Sequence, residues 1–301
     1  MDRDNFMTRH FHGVIPAMVT PFDASGNFDE ARTRELIEGY LEAGVHGISV
    51  AGSQGEFYFL SFEEHVRLIE IAVETVNGRV PVYAGTGAPS TRQSIALTQA
   101  AESIGADLAL VITPYFVQPN DDELFGHYRA VAQATRLPVM IYNNPPRTAV
   151  DVPVGLFKRC MEVENIVGIK DSSGDLTQFA EYMRVGGKST LGFCGRDTLF
   201  LSMLLHGGSG AISPAANVFP ERVLKLYELA RAGRWEEARA VHDQLAPLRA
   251  AWALGSFPVV IKEAMALVGR DAGPARGPIE GLPQARRAKL REVLETIQAS
   301  A

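Results

Sequence analysis

The apolar run of NIVGIKDSSGD, residues 165–175, ends in a lysine, although Ile166, Val167 and Ile169 require burial. An ammonium withdrawn from water is costly unless it is paired or gives up its proton. Lys170 therefore reaches solvent along its stem, pairs with the adjacent Asp171, or does chemistry. A dry pocket lowers an amine's pKa, and the neutral form attacks a carbonyl to give a Schiff base. The preceding apolar run, PVMIYN (138–143), carries Tyr142 near its end. Adjacent parallel strands lie about 4.8 Å apart, so Tyr142 and Lys170 can meet if the two runs are neighbours. Tyr142 then reads as a proton donor or as an ordinary core aromatic.

Two glycine-rich stretches could hold anions. In AGSQGEF (51–57) the glycines let backbone N–H groups converge and Ser53 adds a hydroxyl, which suits a carboxylate; a plain tight turn explains it equally. HGGSGAIS (206–213) could cradle a phosphate, or its glycines could serve only close helix–strand packing.

These residues need a scaffold, and the chain supplies a rhythm. Strand-length apolar runs occur at 13–20, 47–51, 80–86, 106–113, 138–143, 166–171, 189–195 and 210–213. Amphipathic segments such as ARTRELIEGYLEAG, FEEHVRLIEIAVETVNG and TRQSIALTQAAESIG separate them, with Gly44, Gly78 and Gly105 as stop signals. Continuous apolar strands alternating with helices imply parallel strands covered on the outside, and eight such units close a (β/α)8 TIM barrel. A doubly wound sheet is the rival, but VTPFDASGNFDE lacks the G-x-G-x-x-G turn of dinucleotide folds. The barrel is expected over residues 1–232. Three further helices over 233–301, with the Pro/Gly-rich GRDAGPARGPIEGLP between the last two, form a C-terminal helical extension.

A formal net charge of -6 on 301 residues argues against a nucleic-acid groove or an anionic membrane surface. No stretch approaches the roughly 20 apolar residues of a membrane span, and the mixed-charge N-terminus lacks a secretory apolar region. Cys160 and Cys194 are too few for a disulfide framework, so a cytoplasmic location is expected. The seven histidines make no zinc pattern, and His10 and His12 fall in what reads as a frayed arm, so no metal is expected. Serine hydrolysis lacks G-x-S-x-G.

Active sites of such barrels lie where strands end. The strand-end residues include Thr20, Ser53, Gln54, Glu56, Thr86, Thr113, Tyr115, Tyr142, Asn144, Lys170, Asp171, Gly195, Arg196 and Asp197. Together with GVIPAMVTPFDASGNFD, AGSQGE, GADLALVITPYF, YNNPPRT and NIVGIKDSSGD, this pattern resembles the dihydrodipicolinate synthase/N-acetylneuraminate lyase family from about residue 12 to 295. That family comprises Schiff-base-forming, pyruvate-dependent class I aldolases and lyases.

The resemblance implies that Lys170 forms an imine with pyruvate or another 2-oxo acid, needing no cofactor, and that Tyr142 relays protons. It implies that Ser53 and Gln54 hold the pyruvate carboxylate and that Gly195 and Ile212 lend backbone to the site. It also implies a homotetramer built as a dimer of dimers. Two departures bear on the second substrate. Gln54 stands where the family usually has threonine, and Phe116 in TPYF lacks the hydroxyl that synthases of the family lend to a neighbouring subunit, leaving Tyr115 or water to substitute. Arg147 matches the arginine that synthases use near the second carboxylate, though a surface salt bridge would also explain it. The expectation is condensation of pyruvate with aspartate semialdehyde; the alternative is a 2-keto-3-deoxy sugar-acid aldolase or dehydratase.

Overall fold

In the computed structural model, Met7 and residues 10–300 are described. Eight strands form: β1 (Gly13–Pro16), β2 (Ile48–Val50), β3 (Val82–Gly85), β4 (Leu108–Ile112), β5 (Val139–Asn143), β6 (Ile166–Asp171), β7 (Leu191–Cys194) and β8 (Gly210–Ser213). All pair in parallel, in the order β1-β8-β7-β6-β5-β4-β3-β2. An isolated parallel bridge between Ala17 and Ser49 brings the first two strands together and closes the ring. Every expected strand is present, most of them shorter than the apolar run that announced them.

The helices α1 (Glu30–Glu42), α2 (Phe62–Val76), α3 (Thr91–Ile104), α4 (Asp121–Gln133), α5 (Val154–Cys160), α6 (Leu176–Gly186), α7 (Phe200–Leu205) and α8 (Pro220–Arg231) follow the strands in turn. Their starts are chemically marked. Ser61 with Glu64 and Asn120 with Glu123 make reciprocal capping boxes on α2 and α4, while Asp29, Ser90 and Asp175 cap α1, α3 and α6. Gly105 ends α3 at φ 98°, a left-handed conformation that glycine adopts without strain. The strand pleat divides the core in two. Met140 and Tyr142 belong to the barrel cluster, whereas Val139, Ile141 and Ile169 pack outward with Tyr128, Phe157 and Tyr182 beneath the helices.

Three more helices, α9 (Trp235–Ala250), α10 (Val259–Leu267) and α11 (Gln284–Ala299), pack against the barrel. An ion pair ties them to it: Lys262 Nζ lies 2.7 Å from Glu56 Oε1, with the two side chains 2% and 0% exposed. Burial pulls the Lys262 ammonium below its ordinary value and the Glu56 carboxylate pulls it back. Arg276 adds a backbone N–H to Glu56 at 2.9 Å and a two-pronged contact with Glu64 at 2.7 and 2.8 Å. Removing one partner of a buried pair strands the other, so Lys262→Met is expected to lower stability by about 3 kcal/mol or more in urea unfolding at neutral pH. A loss below about 1 kcal/mol would contradict this.

The expected frayed arm is corrected from His10 onward. Phe11 is buried, and His12 sits against His46 and Tyr227, its Nδ1 3.3 Å from the Tyr227 hydroxyl. Among the described residues no helix is long and apolar enough to cross a membrane.

Candidate active site

The β5–β6 register sets Tyr142 beside Lys170 and Asn143 beside Asp171. Lys170 is 3% exposed, and its Nζ lies 3.9 Å from the centroid of the Tyr142 ring. The lysine neither reaches solvent nor pairs with its neighbour. Asp171 instead accepts from Asn143 Nδ2 at 3.0 Å and Ser173 Oγ at 2.7 Å; burial pushes its carboxyl up to about 6 despite those bonds. Strand alternation explains the split, because consecutive residues of β6 face opposite sides.

Burial acts to raise the Tyr142 phenol, but the Lys170 charge and hydrogen bonds from Ser53, Ser172 and Asn144 outweigh it and leave the pKa below the ordinary value. Asn144 Nδ2 donates to the phenolic oxygen at 2.9 Å. The result is a phenol held next to an amine in a nearly dry place, a pair suited to passing a proton.

Around this pair lies a cavity of about 280 Å³. Ser53, Gln54, Arg147, Gly195 and Ile212 all line it, so seven of the eight candidate residues converge. Ser53 and Gln54 begin a short 3-10 turn, Ser53–Gly55, directly after β2. Thr20 Oγ1 donates to the Gly55 carbonyl and Gln54 Nε2 donates to the Pro258 carbonyl at 3.2 Å, which fixes the turn from both sides. Gly195 must be small: a Cβ there would collide with Ser172 Oγ and come within 3.1 Å of Lys170 Cε. Arg147, in the single turn Pro145–Thr148, stacks on Phe257 with 4.3 Å from guanidinium to ring centroid.

Tyr115 does not line this cavity but an adjoining groove that shares Ser53, Arg147 and Phe257 with it. Phe57, Tyr58, Ile112 and Thr148 also line that groove, and Tyr115 packs edge-on to Phe57. Phe116, next along the chain, is 98% exposed with φ 71°. Other strand-end residues prove structural: the Thr86 and Thr98 hydroxyls lie 2.8 Å apart, and those of Thr113 and Thr148 2.9 Å. The phosphate reading of HGGSGAIS is corrected as well. Gly207 and Gly208 precede β8 and Gly210 begins it, so all three lie at the opposite end of the strand, and Gly210 is required by close approach to the Gly13 backbone.

Asn144 and Arg196, named among the strand-end residues but given no role, line the cavity too, as do Ser172, Arg249 and Trp252, which the sequence did not mark. Asn144 and Arg196 close strands already marked, and Ser172 follows Lys170 by two positions. Arg249 and Trp252 come from the helical extension, where nothing local announced a role.

The fold and the cavity define a class, a (β/α)8 lyase of the class I aldolase type. The model of the Dihydrodipicolinate synthetase family matches residues 10–297, and the chain belongs to that family. It is 41% identical over 287 residues to the 4-hydroxy-tetrahydrodipicolinate synthase of Methanoculleus marisnigri, spanning 94% of this chain and 98% of that protein. Its structure is similar to that of dihydrodipicolinate synthase from Aquifex aeolicus, with a TM-score of 0.92 at 37% identity, covering 96% of this chain and 98% of the other. It also resembles a prophage protein of the same family from E. coli K12 solved in complex with pyruvate, with a TM-score of 0.92 at 34% identity and coverage of 96% and 99%.

Proposed function

We propose that this protein condenses pyruvate with aspartate semialdehyde, the activity of a 4-hydroxy-tetrahydrodipicolinate synthase, through a Schiff base on Lys170. The observation that carries the reading is the Lys170 amine over the Tyr142 ring inside the family's cavity. The pyruvate complex of the prophage relative and the curated synthases at about 41% identity support the substrates.

In this mechanism the free amine of Lys170 attacks C2 of pyruvate, and the carbonyl oxygen takes a proton from Tyr142 to give a carbinolamine. The Tyr142 phenolate so formed takes a proton from the new ammonium and returns it to the hydroxyl, which leaves as water to give the protonated imine. Tyr142, a phenolate once more, is placed to take the C3 proton as an enamine forms. The enamine carbon adds to the aldehyde, whose oxygen is protonated, and hydrolysis of the new imine regenerates Lys170. The Ser53 hydroxyl and the first amides of the Ser53–Gly55 turn suit the pyruvate carboxylate, because the leading N–H groups of a helical turn have no partner within it. Gly195 and Ile212 leave room beside the amine, and Arg147 is the group for the aldehyde's own carboxylate.

A second reading, cleavage or dehydration of 2-keto-3-deoxy sugar acids, is favoured by Gln54 and by the missing hydroxyl at Phe116. Turnover of the two substrate sets decides between them. The synthase reading expects a kcat of about 1 s⁻¹ or more with aspartate semialdehyde, and a rate far below that would move the assignment to sugar acids. Arg147→Gln is expected to lower kcat/KM for aspartate semialdehyde by about 10- to 100-fold, the value of a charge-assisted hydrogen bond. An unchanged kcat/KM would remove Arg147 from substrate binding.

A homotetramer and a cytoplasmic location belong to the same reading. Support for assembly comes from Phe116, an aromatic almost wholly exposed on backbone that costs about 1–3 kcal/mol, which burial against another copy would offset. Sedimentation velocity giving a monomer at micromolar concentration would contradict the tetramer.

A further inference from the structure

Besides Lys170, the cavity is lined by three arginines and no carboxylate, in a chain of net charge -6. Arg147 is exposed at the rim; Arg196 and Arg249 are each partly buried. Among the described residues no carboxylate lies within salt-bridge distance of any of the three, and no hydrogen-bond acceptor meets their guanidinium groups. Arg249 is near enough to Arg196 and Arg147 for their charges to act on it; after burial, Arg196 is the largest influence holding its pKa down.

The nearest acid, Asp197, has its oxygens turned to β8, accepting from Ser213 Oγ at 2.5 Å and from the Ala215 N–H at 3.1 Å. Both arginines are held in place. Arg249 stacks on Trp252, 3.7 Å from guanidinium to ring centroid. The Arg196 guanidinium lies against Gly174, where a Cβ would come within 2.7 Å of a guanidinium nitrogen. Stacking on a ring leaves a guanidinium's N–H edge open for a planar anion. Asp197 offsets part of the charge on Arg249, but three guanidinium groups beside one cavity leave an excess of positive charge that an anionic ligand would balance.

We propose that Arg196 and Arg249 are specificity-determining residues that hold a carboxylate at the end of the substrate remote from its 2-oxo group, tuning the cavity to 2-oxo dicarboxylic acids. The inference rests on the reading that Lys170 condenses with the 2-oxo group. It adds to Arg147 two residues from parts of the chain far apart in sequence, the end of β7 and the helical extension.

Borohydride trapping on Lys170 tests it with 2-oxoadipate and 2-oxohexanoate, which differ only in a terminal carboxylate. The wild-type protein is expected to be half-modified at an about ten-fold lower concentration of 2-oxoadipate than of 2-oxohexanoate. Arg196→Gln and Arg249→Gln are expected each to cut that ratio by at least about three-fold, and Arg249→Lys to keep part of it. If a variant fails to fold, salt gives the same answer on the wild type. Raising NaCl from about 0.1 to about 1 M, which shortens the Debye length from about 10 to about 3 Å, should narrow the ratio. A wild-type ratio near one, or a ratio unmoved in both glutamine variants, overturns the proposal. Better trapping of 2-oxo-4-phosphonobutanoate than of 2-oxoglutarate would overturn the choice of carboxylate over phosphate. Pyruvate separates the two failures: no pyruvate adduct defeats the Schiff-base reading, whereas a pyruvate adduct without a dicarboxylate preference defeats only this one.

Discussion

Lys170→Ala is expected to lower kcat by about 10⁴-fold or more, about 5.4 kcal/mol of barrier, in an assay of pyruvate with aspartate semialdehyde. The amine is the covalent partner in this account, and none of the other residues lining the cavity is a lysine. The substitution also deletes the cation above Tyr142, so the phenol loses the charge that most strongly draws its pKa down. Both effects fall on chemistry. The fold should tolerate the change, because the barrel's apolar strands do not depend on a lone buried amine. A variant retaining more than about a tenth of wild-type turnover would mean that the imine is not on the reaction path.

The second large effect belongs to Tyr142. Tyr142→Phe keeps the ring beneath Lys170 and removes only the hydroxyl that Asn144 Nδ2 meets at 2.9 Å. Loss of a positioned acid–base group typically costs 10²- to 10⁴-fold, so kcat should fall by about 10³-fold, about 4 kcal/mol. Stability should change by only about 1 kcal/mol, the net value of one hydrogen bond. Comparing kcat with urea unfolding on the same preparation separates the roles. A variant losing stability and activity in equal measure would make Tyr142 a packing residue, the other reading open to it from sequence.

Some of this was legible in the sequence because it is one-dimensional. NIVGIKD and PVMIYN are both apolar runs of strand length, and consecutive strands in a barrel are neighbours, so the Tyr142–Lys170 pairing follows from chain order alone. The convergence of Ser53, Gln54, Gly195 and Ile212 follows from the same geometry, since all stand at or just past strand ends on one face. Other features need three dimensions. HGGSGAIS has the composition of an anion cradle, but composition does not say at which end of β8 its glycines fall. Tyr115 ends an apolar run as Tyr142 does, yet the chain turns so that its ring packs on Phe57 in a groove adjoining the cavity through Ser53 and Arg147. Arg249, Trp252 and Phe257 lie beyond the barrel, and only the packing of the extension over the strand ends brings them to the cavity. The partnership of Lys262 with Glu56 was hidden for the same reason: a lysine inside VVIKEAM reads as a helix-surface charge until its carboxylate arrives from the turn after β2.

The most direct test of the central claim is to incubate the protein with pyruvate, reduce with borohydride and locate the adduct by peptide mass spectrometry. One reduced pyruvyl group per chain is expected, on Lys170, absent without pyruvate and absent in Lys170→Ala. An adduct on another lysine, or none under conditions of active turnover, would contradict the claim.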